Sequence, residues 1–327
     1  MVPQAPAYTL LVYNKPMFAA SGAPERTELV YHAMWLFRKS LDLSRATLRP
    51  VTAADLTAIS RLLRDGSRRY YGLSGGDLPA LLAAHHGVAL DAGGELWGVA
   101  LTSRPAETTC WLRALALAEG VELRAATDLL LPVLHRDLRE RGIVGVYYGG
   151  DEGADVWLTP ALRQHGYLDD TEVIVYEKQQ RDIPDGGNPH VQVRSVAAVD
   201  LPAVLRIDRA CFEAQWTKDD TVLGPAVGQE SYFVLAELEG AAVGYAYATT
   251  HFGGRLVHLV RIAVDPARRN QQIGVRLLAE LTAYAEELGA TLITLNTQAY
   301  NLSAQRLYHW FGFRATGERQ PVLSCPL

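Results

Sequence analysis

Apolar residues alternate at Val260, Ile262 and Val264, the period of a strand with one buried face, and Asp265-Pro266 closes the run. A polar, cationic turn follows, Arg268-Arg269-Asn270-Gln271-Gln272, and a helix is predicted to open near Gly274. A helix start directs unpaired N–H groups and a positive dipole end outward, which suits a pyrophosphate, and Arg269 adds a full charge beside it. A second strand–loop–helix pattern runs from Leu295 to Phe313.

Self-comparison sets the architecture. The stretch Leu48–Ile59 resembles Val193–Val204, with Arg49/Arg194, Asp55/Asp200 and Leu56/Leu201 in register. Each reads as a short strand, then an aspartate placed to cap a helix. Gly94–Gly98 matches Gly240–Gly244, a turn feeding a strand, and Leu162–Tyr167 matches Tyr308–Phe313, a helix closed by glycine. Three matches in order, at nearly constant spacing, predict two copies of one fold. The polar, Gly/Pro-rich stretch Gln179–Pro189 reads as the linker. The expected division is an N-terminal extension over 1–45, a first domain over 46–178, a linker over 179–190 and a second domain over 191–327. Within the extension, Tyr8–Tyr13 suggests a strand and Glu25–Leu41 a helix.

Composition narrows the class. The chain of 327 residues is 49% hydrophobic and 20% charged, as in ordinary globular proteins, and its length favours two domains. A net charge of −5 argues against nucleic acid as a partner. Cys110, Cys211 and Cys325 are few and widely spaced, giving no metal motif or disulfide framework, so a reducing cytoplasm is expected. No apolar run reaches the ~18–20 residues that span a bilayer, so no membrane association is expected.

The second copy resembles the GNAT superfamily of N-acetyltransferases. The resemblance rests on the loop Arg269-Asn-Gln-Gln272-Ile-Gly274 and on Asn301, Ala304, Leu307, Tyr308, Gly312 and Phe313 at the family's later positions. Ile207–Phe212 followed by Trp216 also resembles the first helices of the family's protein N-terminal alanine acetyltransferases. The likeness covers roughly 191–320 and, more faintly through the repeat, 47–178. It implies an α/β (α+β) fold of two tandem domains, each a mixed, mostly antiparallel twisted sheet flanked by helices. The implied activity is transfer of acetyl from acetyl-CoA, as co-substrate and without a metal, to a primary amine by direct attack in a ternary complex. The acceptor would be a small-molecule amine or a peptide N-terminus, and the protein a monomer or homodimer. A non-catalytic acyl-CoA sensor or interaction module is the alternative, since the family's first loop glycine is Gln272 here.

Site residues follow from the same resemblance. Backbone N–H groups of Ile262, Ala263 and Val264 would hold the pantetheine and thioester. Arg269, Asn270, Gln272, Ile273 and Gly274 would form the pyrophosphate nest. Tyr308 would be the acid that protonates the leaving thiolate, or an aromatic anchor; Asn301 would support the cofactor, or cap a helix. His258 stands where some members carry a glutamate or histidine base, and its alternative is a partly buried strand histidine. Asn296 takes the place of another family glutamate and cannot accept a proton. His251, Glu213 and Glu230 are secondary candidates for acceptor contact. In the first copy Leu162 replaces the tyrosine, Asp155 matches Asn301, no arginine–glycine loop follows Trp111–Leu117, and Glu119 and Glu122 would repel a pyrophosphate. That copy is expected to be a degenerate, supporting half.

Overall fold

The structure, a computed structural model, describes residues 40–73, 77–179, 181–228 and 232–327. Glu230 and nearly all of the extension lie outside the described residues. Two compact units emerge, one reaching Asp169 and taking in Leu323–Leu327, the other running from Asp170 to Val322.

The first unit is built from β1 (Thr47–Pro50), α1 (Leu56–Asp65), β2 (Arg68–Tyr71), α2 (Asp77–Ala83), β3 (Gly87–Ala92), β4 (Glu95–Thr102), β5 (Thr109–Leu117), α3 (Leu123–Glu140), β6 (Gly145–Gly149) and α4 (Glu152–Gln164). Its sheet runs β1-β3-β4-β5-β6, antiparallel except for the parallel pair β5–β6. One face buries Leu130, Leu134 and Leu138 of α3; the other buries Ile59 and Leu62 of α1 and Leu78 and Leu82 of α2. Those leucines recur at i, i+4 and i+8 or close to it, the spacing of a helix with one apolar stripe.

The second unit repeats the plan after β7 (Leu168–Lys178): β8 (Gln192–Ser195), α5 (Leu201–Cys211), α6 (Asp220–Leu223), β9 (Tyr232–Leu238), β10 (Ala241–His251), β11 (Leu256–Val264), α7 (Ile273–Glu287), β12 (Leu292–Gln298), α8 (Leu302–Trp310) and β13 (Arg314–Pro326). The order β7-β12-β11-β10-β9-β8 is again antiparallel except for β11–β12. Ile273, Leu277, Leu281 and Phe311 pack on one face; Val204, Ile207, Phe233 and Tyr245 fill the other. This is the mixed, mostly antiparallel, helix-flanked architecture expected of both copies.

The units follow strand pairing rather than the linker. β7, which closes the first copy in sequence, pairs antiparallel with β12 from Val173↔Gln298 to Lys178↔Ile293. The chain's end returns to the first unit, where Leu327 N–H donates to Val144 O at 2.9 Å. Boundaries drawn at 179–190 from turn composition therefore differ from those drawn by contact, because an edge strand satisfies its hydrogen bonds wherever a partner edge is open.

The repeated aspartates do not cap the helices that follow them; each closes the N-terminal end of the short 3-10 turn before its helix. Asp55 and Asp200 precede α1 and α5 without a side-chain bond to either helix. Their carboxylates turn back to the preceding turn, onto Thr52 N (2.8 Å) and Ala197 N (2.8 Å), and each takes a two-pronged pair from Arg49 or Arg194. Asp91 and Glu237 on the neighbouring strands complete each arginine's set. Arginine's planar fork explains why Arg and Asp recur together at this spacing.

Candidate active site

The site in the second unit starts from an irregularity in β11. Tyr247 pairs with Arg261 and Ala248 with Leu259, so Val260 is an extra, bulged residue. The bulge resets the face: Val260 packs with the α5 side, while Ile262 and Val264 pack with the α7 side. The alternation expected through Val260, Ile262 and Val264 is thus interrupted at its first member. Pairing of β11 with β12 ends at Leu259↔Leu295, although both strands continue. Among the described residues, 260–264 have no strand partner on the β12 side beyond that point. This gap in the strand pairing, a notch, is edged by the backbone of Ile262, Ala263 and Val264.

The notch leads to the turn that joins β11 to α7. Asp265 Oδ1 accepts from Ala267 N at 3.0 Å and fixes the turn Pro266–Arg268. Asn270 and Gln272 both take left-handed backbone angles, φ 62° and 57°. α7 begins at Ile273 with no side chain capping it, so its first N–H groups face outward. A Cβ on Gly274 would lie 3.4 Å from Leu307 Cδ2 and 3.8 Å from Val264 Cγ2, so glycine keeps this corner thin. Arg269 lies beside the Cys211 thiol, and burial pushes that thiol above its ordinary value.

Tyr308 is 5% exposed and packed against the rings of Tyr176 and Phe313. Burial pushes its phenol well above the ordinary value near 10, so it stays protonated at any working pH. Asn301 caps α8, its side chain accepting from Ala304 N at 3.2 Å. His258 is 5% exposed, in register with Thr249 and Thr294, and its Nδ1 lies 2.9 Å from Thr294 Oγ1. Burial lowers its pKa to about 4, so the ring is neutral near pH 7. His251 Nε2 lies 3.0 Å from Thr249 Oγ1, and Glu213 receives bonds from Gln215 (2.7 Å) and Tyr300 (3.5 Å).

A group that periodicity alone did not reveal lies on the α5 side of β11. Arg261 is 8% exposed and Asp208 fully buried. Arg261 donates through Nε and Nη2 to the Asp208 carboxylate at 2.8 and 3.0 Å, and through Nη2 to Trp216 O at 2.5 Å. Its guanidinium lies 3.4 Å from the Phe212 ring centroid. Asp208 also accepts from Tyr245 OH and from Lys218 N. The connector 212–218 between α5 and α6 is thereby tied to the side of the notch. The available signal was a charged residue within an apolar strand.

The first unit builds the same frame and fills it. Arg113 is the bulged residue of β5, and β5–β6 pairing stops at Trp111↔Tyr147. Here, however, β2 pairs with the freed stretch, from Tyr71↔Ala114 to Arg68↔Leu117. Tyr70, 2% exposed, donates toward Leu112 O and Gly149 O, each at 3.3 Å. Glu122 caps α3 itself, accepting from Arg124 N (3.0 Å) and Ala125 N (2.6 Å). The residue that caps α4 is Asp151, since that helix begins a turn earlier than the Asp155–Asn301 match implied; Asp155 accepts from Tyr148 OH.

Among the described residues no cluster of His, Cys, Asp and Glu could hold a metal ion, and no helix is long and apolar enough to cross a membrane.

Comparison with known proteins agrees with this fold. The sequence profile of the acetyltransferase (GNAT) family matches residues 201–313. An uncharacterized N-acetyltransferase of Schizosaccharomyces pombe is 37% identical over 84 residues, 25% of this chain and 51% of that protein. Ribosomal protein bS18-alanine N-acetyltransferase of Escherichia coli K12 is 28% identical over 121 residues, 37% of this chain and 79% of that protein. Human N-acetylaspartate synthetase is 29% identical over 124 residues, 38% of each chain. The match therefore spans about half or less of two of these three relatives. In fold, a GCN5-related N-acetyltransferase from Kribbella flavida aligns with a TM-score of 0.65 at 14% identity, over 87% of this chain and 72% of that one. A tandem GNAT protein from the clavulanic acid biosynthesis pathway aligns at 0.54 and 13% identity, over 86% and 98%. Residues 201–313 of this chain thus match the acetyltransferase (GNAT) family, and the relatives they align with are named as N-acetyltransferases.

Proposed function

We propose that the second unit transfers acetyl from acetyl-CoA to a primary amine by direct attack within a ternary complex. The observation that carries this reading is the unpaired notch beyond Leu259 and Leu295, which opens onto the left-handed loop and the uncapped start of α7. A pantetheine chain has the extended amide groups to pair with the free edge of Ile262–Val264, and the pyrophosphate suits Arg269, Asn270, Gln272, Ile273 and Gly274. Asn301 serves by capping the helix that carries Tyr308.

The amine nitrogen attacks the thioester carbonyl carbon, the carbon–sulfur bond breaks, and the departing thiolate takes the Tyr308 proton. The amine's proton leaves by way of water toward His258, which is neutral and on the acceptor face. It passes on through water to the Tyr308 phenolate, so that both groups return to their starting forms. A base of pKa about 4 draws little from a free ammonium, so the amine enters as its neutral form and the proton leaves after attack. Positioning supplies most of the rate, with effective molarities that reach ~10⁵ M in well-oriented transfers. The relatives act, by their names, on a ribosomal protein's alanine and on aspartate, so amino-acid and peptide amines head the acceptor panel.

In the first unit, β2, Tyr70 and Glu122 take the places of pantetheine and phosphate, which makes it a supporting half. The test is acetyl-CoA-dependent thiol release across amines, peptides and aminoglycosides. Turnover with any of them supports the reading; binding of acetyl-CoA without turnover across the panel would favour a sensor.

A further inference from the structure

The segment that precedes β8 lies against the anion loop. Gly187, φ 72°, is held by its N–H to Asp185 Oδ1 at 2.8 Å. A Cβ there would sit 2.4 Å from Arg276 N and 2.7 Å from Arg276 Cα, so this backbone rests directly on the first turn of α7. Next to it, the half-buried Asn188 donates from Nδ2 to Gln271 O at 3.0 Å, while its Oδ1 accepts from His190 N at 2.9 Å. Val191, 2% exposed and part of the unit's core, anchors the far end, and its N–H returns to Asn188 O at 3.2 Å.

The loop it touches needs such support. Asn270 and Gln272 carry side chains in left-handed backbone that favours glycine, on either side of the residue whose carbonyl Asn188 binds. Strained angles of this kind persist where the surroundings over-determine them. We infer that Asn188, seated by Gly187, is a positioning residue for the co-substrate: it braces Gln271 so that the loop keeps its anion-binding course without the glycine. This rests on reading 269–274 as the pyrophosphate loop.

The inference makes Asn188 and Gln272 interdependent. Asn188→Ala removes the donor to Gln271 without adding charge beside the loop, and the exposed His190 N–H that it leaves turns to water. In the full chain it should weaken acetyl-CoA binding and raise its KM about five-fold, the effect of one net hydrogen bond, with kcat little changed. Gly187→Ala, which forces the segment off α7, should weaken binding in the same sense. In a Gln272→Gly background the loop holds its own course, so adding Asn188→Ala should change affinity by less than about two-fold, a non-additivity read from the double-mutant cycle. Melting temperatures measured on all four cycle members separate lost binding from lost folding. Equal affinity of Asn188→Ala and the unsubstituted chain, or the same loss in both backgrounds, overturns the brace. Failure of the unsubstituted chain to bind acetyl-CoA overturns the loop reading itself, and the inference with it.

Discussion

Gln272 holds a Cβ in left-handed backbone at the mouth of α7. Glycine at that position removes a steric cost of roughly 1 kcal/mol, so Gln272→Gly should raise the urea midpoint and bind acetyl-CoA at least as tightly. Markedly weaker binding by calorimetry would assign the glutamine side chain a contact of its own. For Tyr308, removal of a positioned acid typically costs ~10²–10⁴-fold in rate, so Tyr308→Phe should lower kcat far more than it weakens acetyl-CoA binding. His258 provides a pH signature. Its folded pKa of about 4 lies below the ordinary value, so between the two the unfolded chain binds the proton and the folded chain does not. Stability from this group is full above about pH 6.5 and is lost as pH falls toward 4, about 3 kcal/mol when complete. Urea titrations from pH 7 to 4 should show a shallower slope for His258→Gln; an unchanged slope would show that its burial carries no such linkage.

Elements differ in how much a shared chemistry contributes, and burial decides. The Arg261–Asp208 pair is enclosed, with Phe212 across the guanidinium, whereas the side chain of Arg194 in the Arg194–Asp200 pair is 43% exposed. Asp208→Asn leaves a buried guanidinium without its carboxylate and should cost about 3–5 kcal/mol, against about 1 or less for Asp200→Asn. Chemical denaturation compares the two directly. Loosening of the connector 212–218 should accompany the first change, seen as faster limited proteolysis there. In the first unit Ala114 takes the Arg261 register, and the stretch after α1 forms β2 along the open edge.

At the scale of the chain, one acetyl-CoA per molecule is expected, because β2 and Tyr70 fill the first notch and Glu122 occupies the amides at the start of α3. Calorimetry returning two equivalent sites would contradict this. The strand pairings give a second expectation. A fragment over 190–327 lacks β7, which covers the β12 edge from Ile293 to Gln298. It should aggregate, while a fragment beginning at Asp170 should be markedly more soluble, as size-exclusion chromatography of both would reveal. Equal solubility would mean that β7 is dispensable to the second unit.

The sequence alone determined the repeat, the β11–turn–α7 order and the loop from Arg269 to Gly274, since periodicity, turn residues and spacing are local properties of the chain. It also marked Asn301 and Tyr308, whose helix the structure begins with Asn301 as its cap. Tertiary structure decided the rest, each time through pairing or burial. The extra residue at Val260 has no signature in apolar spacing and appears only when β10 fixes the register. Asp55 and Asp200 look in sequence like caps of the helices after them. They bond instead the amides of the turns before, where Arg49 and Arg194 reach them from the preceding strand. His258 is an ordinary titratable residue in sequence, and enclosure between Thr249 and Thr294 makes it a weak base. The two notches share one frame, and what separates an open slot from a filled one is which strand lies along the free edge, a matter of long-range pairing that no local pattern encodes.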